Sequence, residues 1–302
     1  MPELPDVQVY VEAIAARTLG RPLTELKLLS PFVLRSVEPP KQAFAGKRVE
    51  GVSRIGKRVV LEFEDELFAV IHMMIAGRFH WLKPSAKLNR KRTLLAFVFE
   101  AGLLQLTEAG SKRRASLHLV RGREALASHD PGGVEVASLS VEAFAEQLRA
   151  RNHTLKRILT DPRIFDGIGN AYSDEILHAA KLSPVKLSTR LDDEEVARLH
   201  AACVEGLELW TQRVRDHYGE AFPEKVTAFR PDMAAHGKYG EPCPVCETPI
   251  QRIVYASRET NYCPQCQTDG KLLADRGLSR LLKRDWPKSL EELESYKAAR
   301  RE

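Results

Sequence analysis

Four cysteines near the carboxyl end constrain the fold of this chain more than any other feature of its sequence. They form two pairs, Cys243-Pro-Val-Cys246 and Cys263-Pro-Gln-Cys266, separated by sixteen residues. Two pairs at this spacing are typical of a zinc site in which two turns present four thiolates tetrahedrally. Because four thiolates leave no open coordination position, the pattern predicts one structural Zn²⁺ per chain, in preference to four unrelated buried cysteines.

The hydrophobic pattern changes along the chain from strands to helices. Apolar residues at helical spacing from Val7 to Leu19 predict a helix of about four turns after Pro5. From Leu23 to about Val120, short alternating runs between turn residues predict an antiparallel sandwich or barrel. The turn-rich segment 127–133 then marks a linker, and helical patterns follow it.

These patterns predict an α+β, multidomain protein: an N-terminal antiparallel β-sandwich with flanking helices, a helical domain and a C-terminal four-cysteine zinc finger. We expect the sandwich over residues 1–127, a linker over 128–139, the helical domain over 140–235, the zinc finger over 236–270 and an extension over 271–302. Ser289 followed by Leu-Glu-Glu predicts a helix start in that extension. Cys203, in an apolar helical run, is expected in a helix core.

The composition is that of a globular protein with a moderate excess of positive charge. The 302 residues carry a net charge of +5, which is compatible with a polyanionic partner. No apolar run approaches the roughly 18 residues of a membrane helix, and an N-terminus with Glu3 and Asp6 is unlike a secretory signal. We therefore expect a cytoplasmic monomer that makes no membrane contact.

The first residues combine a nucleophile with a proton donor. Removal of Met1, which the small residue Pro2 permits, leaves a secondary amine beside the carboxyl group of Glu3. An α-amino group titrates near pH 7.7–8.0, about neutrality, so a useful fraction is uncharged at cell pH. Attack by this amine on a sugar C1′ would give a cationic iminium, and the carboxyl group would protonate the opening sugar ring.

A glycine-rich segment in the helical part of the chain predicts an anion site. Gly167 and Gly169 allow close approach of the backbone to a ligand, and Asn170 would begin a helix whose free N–H groups point at a phosphate. The Asn170 side chain would add another donor. Taken alone, the segment is equally compatible with an ordinary turn before a capped helix.

These motifs resemble those of the formamidopyrimidine-DNA glycosylase and endonuclease VIII family, from Pro2 to about Thr268. Pro-Glu-Leu-Pro-Asp-Val is similar to the family's N-terminal Pro-Glu-Leu-Pro-Glu-Val, with Asp6 as a departure. Gly-Ile-Gly-Asn-x-Tyr-x-x-Glu is similar to its helix-two-turn-helix signature. The resemblance implies a bacterial, nucleoid-associated DNA glycosylase and AP lyase. Such an enzyme excises oxidised bases from double-stranded DNA through a Schiff base on Pro2 followed by β,δ-elimination, and its substrates contain damaged bases or abasic sites.

The resemblance also implies roles for individual residues. Pro2 and Glu3 would carry the chemistry together with Lys57, which would reach the substrate phosphate and the active site. Asn170 and Arg258 would grip phosphates, and a bidentate guanidinium suits that task. Further DNA-binding candidates are His72, Ile75, Arg113 and Tyr172, with Asp6 and Glu175 as possible supporting residues.

Two loops depart from the family pattern. Residues 72–77 resemble its His-Leu-Gly-Met-Ser-Gly turn, but Ile75 stands where a methionine wedge fills the gap left by an extruded base, and Met74 replaces a glycine. Residues 112–116 correspond to its Pro-Arg-Arg-Phe-Gly loop. There Arg113 would contact the opposite base, while Ala115 stands where an aromatic wedge is expected. The sequence therefore leaves the lesion preference open.

Another basic stretch precedes this second loop, and other functions also fit parts of the sequence. Residues 83–92 contain five basic and no acidic residues, which is compatible with phosphate attraction or with a solvated surface. A non-catalytic protein that binds damaged DNA or abasic sites could retain the same scaffold. A zinc-ribbon transcription factor or RNA-binding protein would account for the cysteines, but it would leave Pro2, Glu3 and Asn170 unexplained.

Overall fold

The computed structural model describes residues 1–109, 112–227, 229–255, 258–274, 279–280 and 282–299. The chain divides into two compact units. Unit 1 comprises Met1–Gly133 and Glu208–Ala228, and unit 2 comprises Val134–Leu207 and Phe229–Glu302. Among the helices in these ranges, none combines the length and the apolar character needed to cross a bilayer.

Unit 1 is built from two antiparallel sheets and an N-terminal helix. Its elements are α1 (Leu4–Thr18), β1 (Glu25–Leu28), β2 (Val49–Ile55), β3 (Arg58–Phe63), β4 (Leu67–His72), β5 (Gly77–Leu82), β6 (Thr93–Phe99), β7 (Gly102–Glu108), β8 (Ser116–Arg121) and α2 (Arg123–Ala127). One sheet has the strand order β2-β3-β4-β8 and the other has the order β1-β6-β7-β5. One hydrophobic core contains residues from both sheets, so they form a sandwich.

The core of unit 1 follows from the alternation of side chains along its strands. Val59, Leu61 and Phe63 on β3 are fully buried, as their spacing predicts. The other face of the same sheet is also covered, because Val60 and Phe68 belong to a second buried cluster. The strands beside the N-terminus are therefore held from both faces.

Helix α1 packs on this core and begins earlier than predicted. Val7, Tyr10 and Ile14 are fully buried, and the Tyr10 ring meets the Phe79 ring edge-on with centroids 5.4 Å apart. The helix includes Leu4, and Pro5 occupies its first turn. Proline is tolerated there because the N–H that it lacks would have no partner within the helix.

Unit 2 is mainly helical and ends in a small hairpin module. Its elements are α3 (Val141–Arg149), α4 (Leu155–Leu159), α5 (Asn170–Ala179), α6 (Asp193–Tyr218, of which unit 1 takes the part from Glu208), β9 (Gln251–Tyr255), β10 (Arg258–Tyr262), α7 (Pro264–Thr268) and α8 (Leu290–Ala298). Side-chain caps fix several of the helix starts. At α6, Glu195 N–H donates to Asp192 (2.8 Å), and the Glu195 carboxylate accepts from Asp192 N–H (3.2 Å).

The predicted fold class is confirmed by this architecture: two antiparallel sheets with helices, a helical region and a four-cysteine module. Cys203 is fully buried in α6, as expected. Ser289 caps α8 by accepting a hydrogen bond from Glu292 N–H at 3.2 Å, so the helix predicted in the extension is present.

Candidate functional site

The amino terminus lies in a buried, charged environment at the start of α1. Pro2 and Glu3 are buried, and Glu3 is the N-cap of the helix. The Asp6 carboxylate accepts a hydrogen bond from Glu3 N–H at 3.1 Å, as part of a capping box. Asp6, the departure from the family pattern, therefore fixes the backbone of Glu3.

The environment of the terminal amine favours its neutral form. Burial lowers the pKa of the Met1 amine below its usual value, opposed by Glu3 and assisted by Arg78. Lys57, at the turn between β2 and β3, also contributes positive charge to this site. Pro2, Glu3 and Lys57 are thus brought together. Arg78 is a further member that the sequence analysis missed, because alternation along β5 does not reveal that its charge reaches the terminus.

His72 lies at the end of β4 and is held as a neutral ring. Its Nδ1 accepts a hydrogen bond from Met74 N–H at 2.9 Å, which leaves the ring proton on Nε2. Burial, and then the nearby charge of Arg58, lowers the pKa of His72 to about 4. At neutral pH this ring can donate one hydrogen bond from Nε2 but carries no charge.

The turn between β4 and β5 presents Ile75 to solvent. The Ile75 side chain is 64% exposed, which is unusual for an apolar residue beside a buried strand. Met74 before it has a positive φ of 54°, where glycine is the preferred residue. Gly77 closes the turn so tightly that a Cβ atom there would lie 2.3 Å from the Met73 carbonyl oxygen.

The loop between β7 and β8 is anchored by a buried carboxylate. Glu108 is 3% exposed, and its carboxylate accepts hydrogen bonds from the N–H groups of Arg114 and Ala115 at 2.8–3.0 Å. Ala115 is itself buried in the core of unit 1, so this position anchors the loop and does not supply a wedge. The Arg113 guanidinium donates to the Lys91 carbonyl oxygen. The sequence gave no signal for Glu108.

In unit 2, the segment predicted to bind an anion does begin a helix. Asn170 is the first residue of α5, after Gly169 as N-cap. Its side-chain Nδ2 donates to the carbonyl oxygen of Glu259 in β10 at 2.8 Å, which joins the helix start to the hairpin of the cysteine module. The hairpin itself is present as predicted, but the Arg258 side chain lies outside the described residues.

The rest of the α5 signature is buried in a polar network. Asp174, which is fully buried, accepts from Lys156 Nζ (2.5 Å), from His236 Nδ1 (2.8 Å) and from Asn261 Nδ2 (3.3 Å). Glu175 accepts three backbone N–H groups, those of residues 234–236, at 2.8–2.9 Å. Tyr172 is fully buried, so in this conformation its ring packs within unit 2 and presents no surface to DNA.

The four predicted cysteine ligands converge on one point. The Sγ atoms of Cys243, Cys246, Cys263 and Cys266 all lie within 4.8 Å of one another, which fits a tetrahedral thiolate site for structural zinc. His178 on α5 adds a contact that the sequence analysis missed: its Nε2 lies 3.2 Å from Cys243 Sγ, and both side chains are buried. Since burial lowers the pKa of His178, its neutral ring suits donation to a thiolate.

Three family models match successive parts of the chain. They describe the formamidopyrimidine-DNA glycosylase N-terminal domain (residues 1–117), the formamidopyrimidine-DNA glycosylase H2TH domain (131–213) and a zinc finger found in FPG and IleRS (240–268). The formamidopyrimidine-DNA glycosylase of Desulforamulus reducens is 32% identical over 282 residues, covering 88% of this chain and 99% of the relative.

Solved structures with the same fold contain DNA. The complex of Lactococcus lactis Fpg with DNA containing an abasic site aligns with a TM-score of 0.77 at 25% identity, covering 88% of this chain and 99% of that one. The complex of MutM with DNA containing carbocyclic 8-oxo-G aligns with a TM-score of 0.78 at 26% identity, covering 88% and 100%. The match extends over both units of the chain.

Proposed function

Because this chain belongs to the formamidopyrimidine-DNA glycosylase family, we propose that it is a bifunctional DNA glycosylase and AP lyase acting through the amine of Pro2. The observation that carries the proposal is the terminal amine at the start of α1. Burial keeps it less basic than an ordinary amine, and the carboxyl group of Glu3 stands beside it. A neutral amine beside an acid is what attack on a sugar carbon requires.

The chemistry proceeds in balanced steps. The Pro2 nitrogen forms a bond to C1′, the glycosidic bond breaks, and the base leaves. Glu3 protonates the sugar ring oxygen, so the ring opens and a cationic iminium remains. Loss of the C2′ proton expels the 3′-phosphate, a second elimination expels the 5′-phosphate, and water then releases the amine.

The remaining site residues position the substrate in this proposal. Lys57 supplies positive charge beside the amine, and the neutral His72 donates from Nε2. In unit 2, Asn170 and Arg258 hold phosphates at the start of α5 and on β10. Glu175 supports that surface through the backbone of residues 234–236. Tyr172 packs beneath it.

The proposed substrate is double-stranded DNA that contains a damaged base or an abasic site. Two structures of similar proteins hold DNA of these kinds. A base that is attacked at C1′ must leave the stack first, and the exposed Ile75 is the side chain offered to fill the gap. Comparing excision from duplexes with 8-oxoguanine, formamidopyrimidine or an oxidised pyrimidine identifies the lesion class.

Strand cleavage and borohydride trapping test the proposal. A duplex with a single abasic site should be nicked, and borohydride should reduce the iminium to a covalent protein–DNA adduct. The matched control is the same chain with a short extension before Pro2, which removes the free amine and leaves every other residue in place. Equal nicking by both proteins, or no adduct with the native terminus, would refute the lyase assignment.

One observation favours a second candidate, a non-catalytic protein that binds damaged DNA. The loop that carries Arg113 offers no aromatic wedge, because Ala115 is buried in the core. Such a protein would bind abasic DNA without extruding a base. It would bind a duplex with an abasic site as tightly as the proposed enzyme and leave the strand intact, with no adduct in either terminal form.

A further inference from the structure

Unit 1 contains a cavity of about 620 Å³ on the outer side of β5 and β7. We name it the cation cavity after the four permanently charged side chains that line it: Arg78, Lys91, Arg92 and Arg113. Two of them, Lys91 and Arg92, come from the basic segment 83–92, for which the proposed chemistry gives no role. Arg113 comes from the loop after β7, so separate parts of the chain converge here.

The positive charges of the cation cavity are not balanced by acidic partners. Within the described parts of the chain, none of the four cations has a carboxylate within 4.0 Å. Arg78 and Arg113 donate to backbone carbonyl groups. Glu108 also lines the cavity, but its carboxylate already accepts the N–H groups of Arg114 and Ala115.

Such an arrangement costs free energy unless an anion fills it. Like charges in a concave site repel one another, and low-dielectric walls focus their combined field on an incoming anion. Guanidinium and ammonium groups together suit phosphate, since guanidinium binds it through two parallel hydrogen bonds. Thr107 and Asn89 add uncharged polar groups to the lining. The chemistry of the cavity therefore matches a phosphate group.

We infer that the cation cavity binds backbone phosphate of the undamaged DNA strand. The inference rests on the proposed function, in which Arg113 meets the base opposite the lesion, because Arg113 also lines this cavity. Lys91 and Arg92 then take phosphate of the same strand. The basic segment 83–92 is accordingly divided into residues that face the cavity and residues, such as Lys83 and Lys87, that do not.

Salt dependence of DNA binding tests the inference. The ligand is a duplex with a tetrahydrofuran abasic analogue, bound by the full chain at several salt concentrations. For Lys91→Glu/Arg92→Glu we expect at least about tenfold weaker binding near 0.1 M salt. The slope of log Kd against log salt should fall by about one to two, as for one or two lost phosphate contacts. The control Lys83→Glu/Lys87→Glu makes the same charge change in the same segment and should stay within about twofold.

Further arms identify the strand and the source of the phosphate. Ethylation of single phosphates on each strand should interfere only on the undamaged strand for wild type, and that interference should vanish in the Lys91/Arg92 variant. Equal weakening by both double variants would reduce the segment to diffuse charge and overturn the inference. Binding of inorganic phosphate in this cavity without any change in DNA affinity would assign it to a free phosphorylated ligand instead.

Folding and chemistry are controlled separately. Lys91→Gln/Arg92→Gln removes the charges without reversing them and should reproduce the loss of slope with an unchanged melting temperature. Binding to the tetrahydrofuran analogue needs no bond cleavage. If trapping at the amino terminus fails while the cavity variants still weaken binding, the proposed lyase falls and the phosphate site stands.

Discussion

Replacing His178 by phenylalanine should accelerate the loss of zinc from the cysteine module. The His178 Nε2 lies 3.2 Å from Cys243 Sγ, and the two residues are 6% and 1% exposed, so water cannot readily replace the lost donor. A hydrogen bond to a charged group contributes roughly 1.5–3 kcal/mol. That corresponds to about a 10- to 150-fold weaker hold on the metal, in line with the effects of such supporting residues at other metal sites.

The assay follows transfer of zinc to a coloured chelator from purified protein, well below the melting temperature of each variant. His217→Phe is the matched control, because His217 is an exposed histidine of α6 outside unit 2. His178→Gln keeps an N–H donor and should restore part of the retention. Release from His178→Phe within about twofold of wild type would refute the reasoning, because the N–H···S contact would then contribute nothing.

Three other predictions follow from single residues. Met74→Gly should raise stability by roughly 1 kcal/mol, since a left-handed residue with a side chain costs about 1–2 kcal/mol and glycine returns part of that as chain entropy; a lower melting temperature would contradict it. Glu175→Gln should destabilise unit 2 by roughly 2–4 kcal/mol in urea unfolding, because it weakens hydrogen bonds from three N–H groups, and a change below about 0.5 kcal/mol would count against that role. Because the pKa of His72 falls from 6.5 to about 4 on folding, the unfolded chain binds more protons between these values, so stability should drop as pH falls from 6.5 towards 4. In His72→Gln that part of the pH dependence should disappear; an unchanged profile would show that another group causes it.

Much of the fold could be predicted because its signals are local. Alternation from Val59 to Phe63 identified a strand of the sandwich, and the spacing of the four cysteines predicted a cluster that the structure bears out. The start of α5 at Asn170 followed from the preceding glycines. In each case neighbouring residues determine the local structure through side-chain period, turn preference or ligand spacing.

The supporting parts of the candidate site could not be predicted because they depend on tertiary contacts. Asp174 receives His236 from 62 positions away, and His178 meets Cys243 across 65. Arg78 acquires its place beside the terminal amine from the packing of β5 near α1. No local period encodes these pairings. The roles of Lys57, Asn170 and Arg258 toward a substrate remain predictions.

The account depends most on which nitrogen captures the sugar, and peptide mapping of the borohydride-trapped adduct tests that directly. Lys57 is the informative competitor, since its charge acts on the same terminal amine and its own amine could also form a Schiff base. After nuclease and protease digestion, tandem mass spectrometry should find the reduced sugar on the nitrogen of Pro2, in a chain that has lost Met1. An adduct on Lys57, or a mature chain that keeps Met1 and still cleaves, would contradict the central claim.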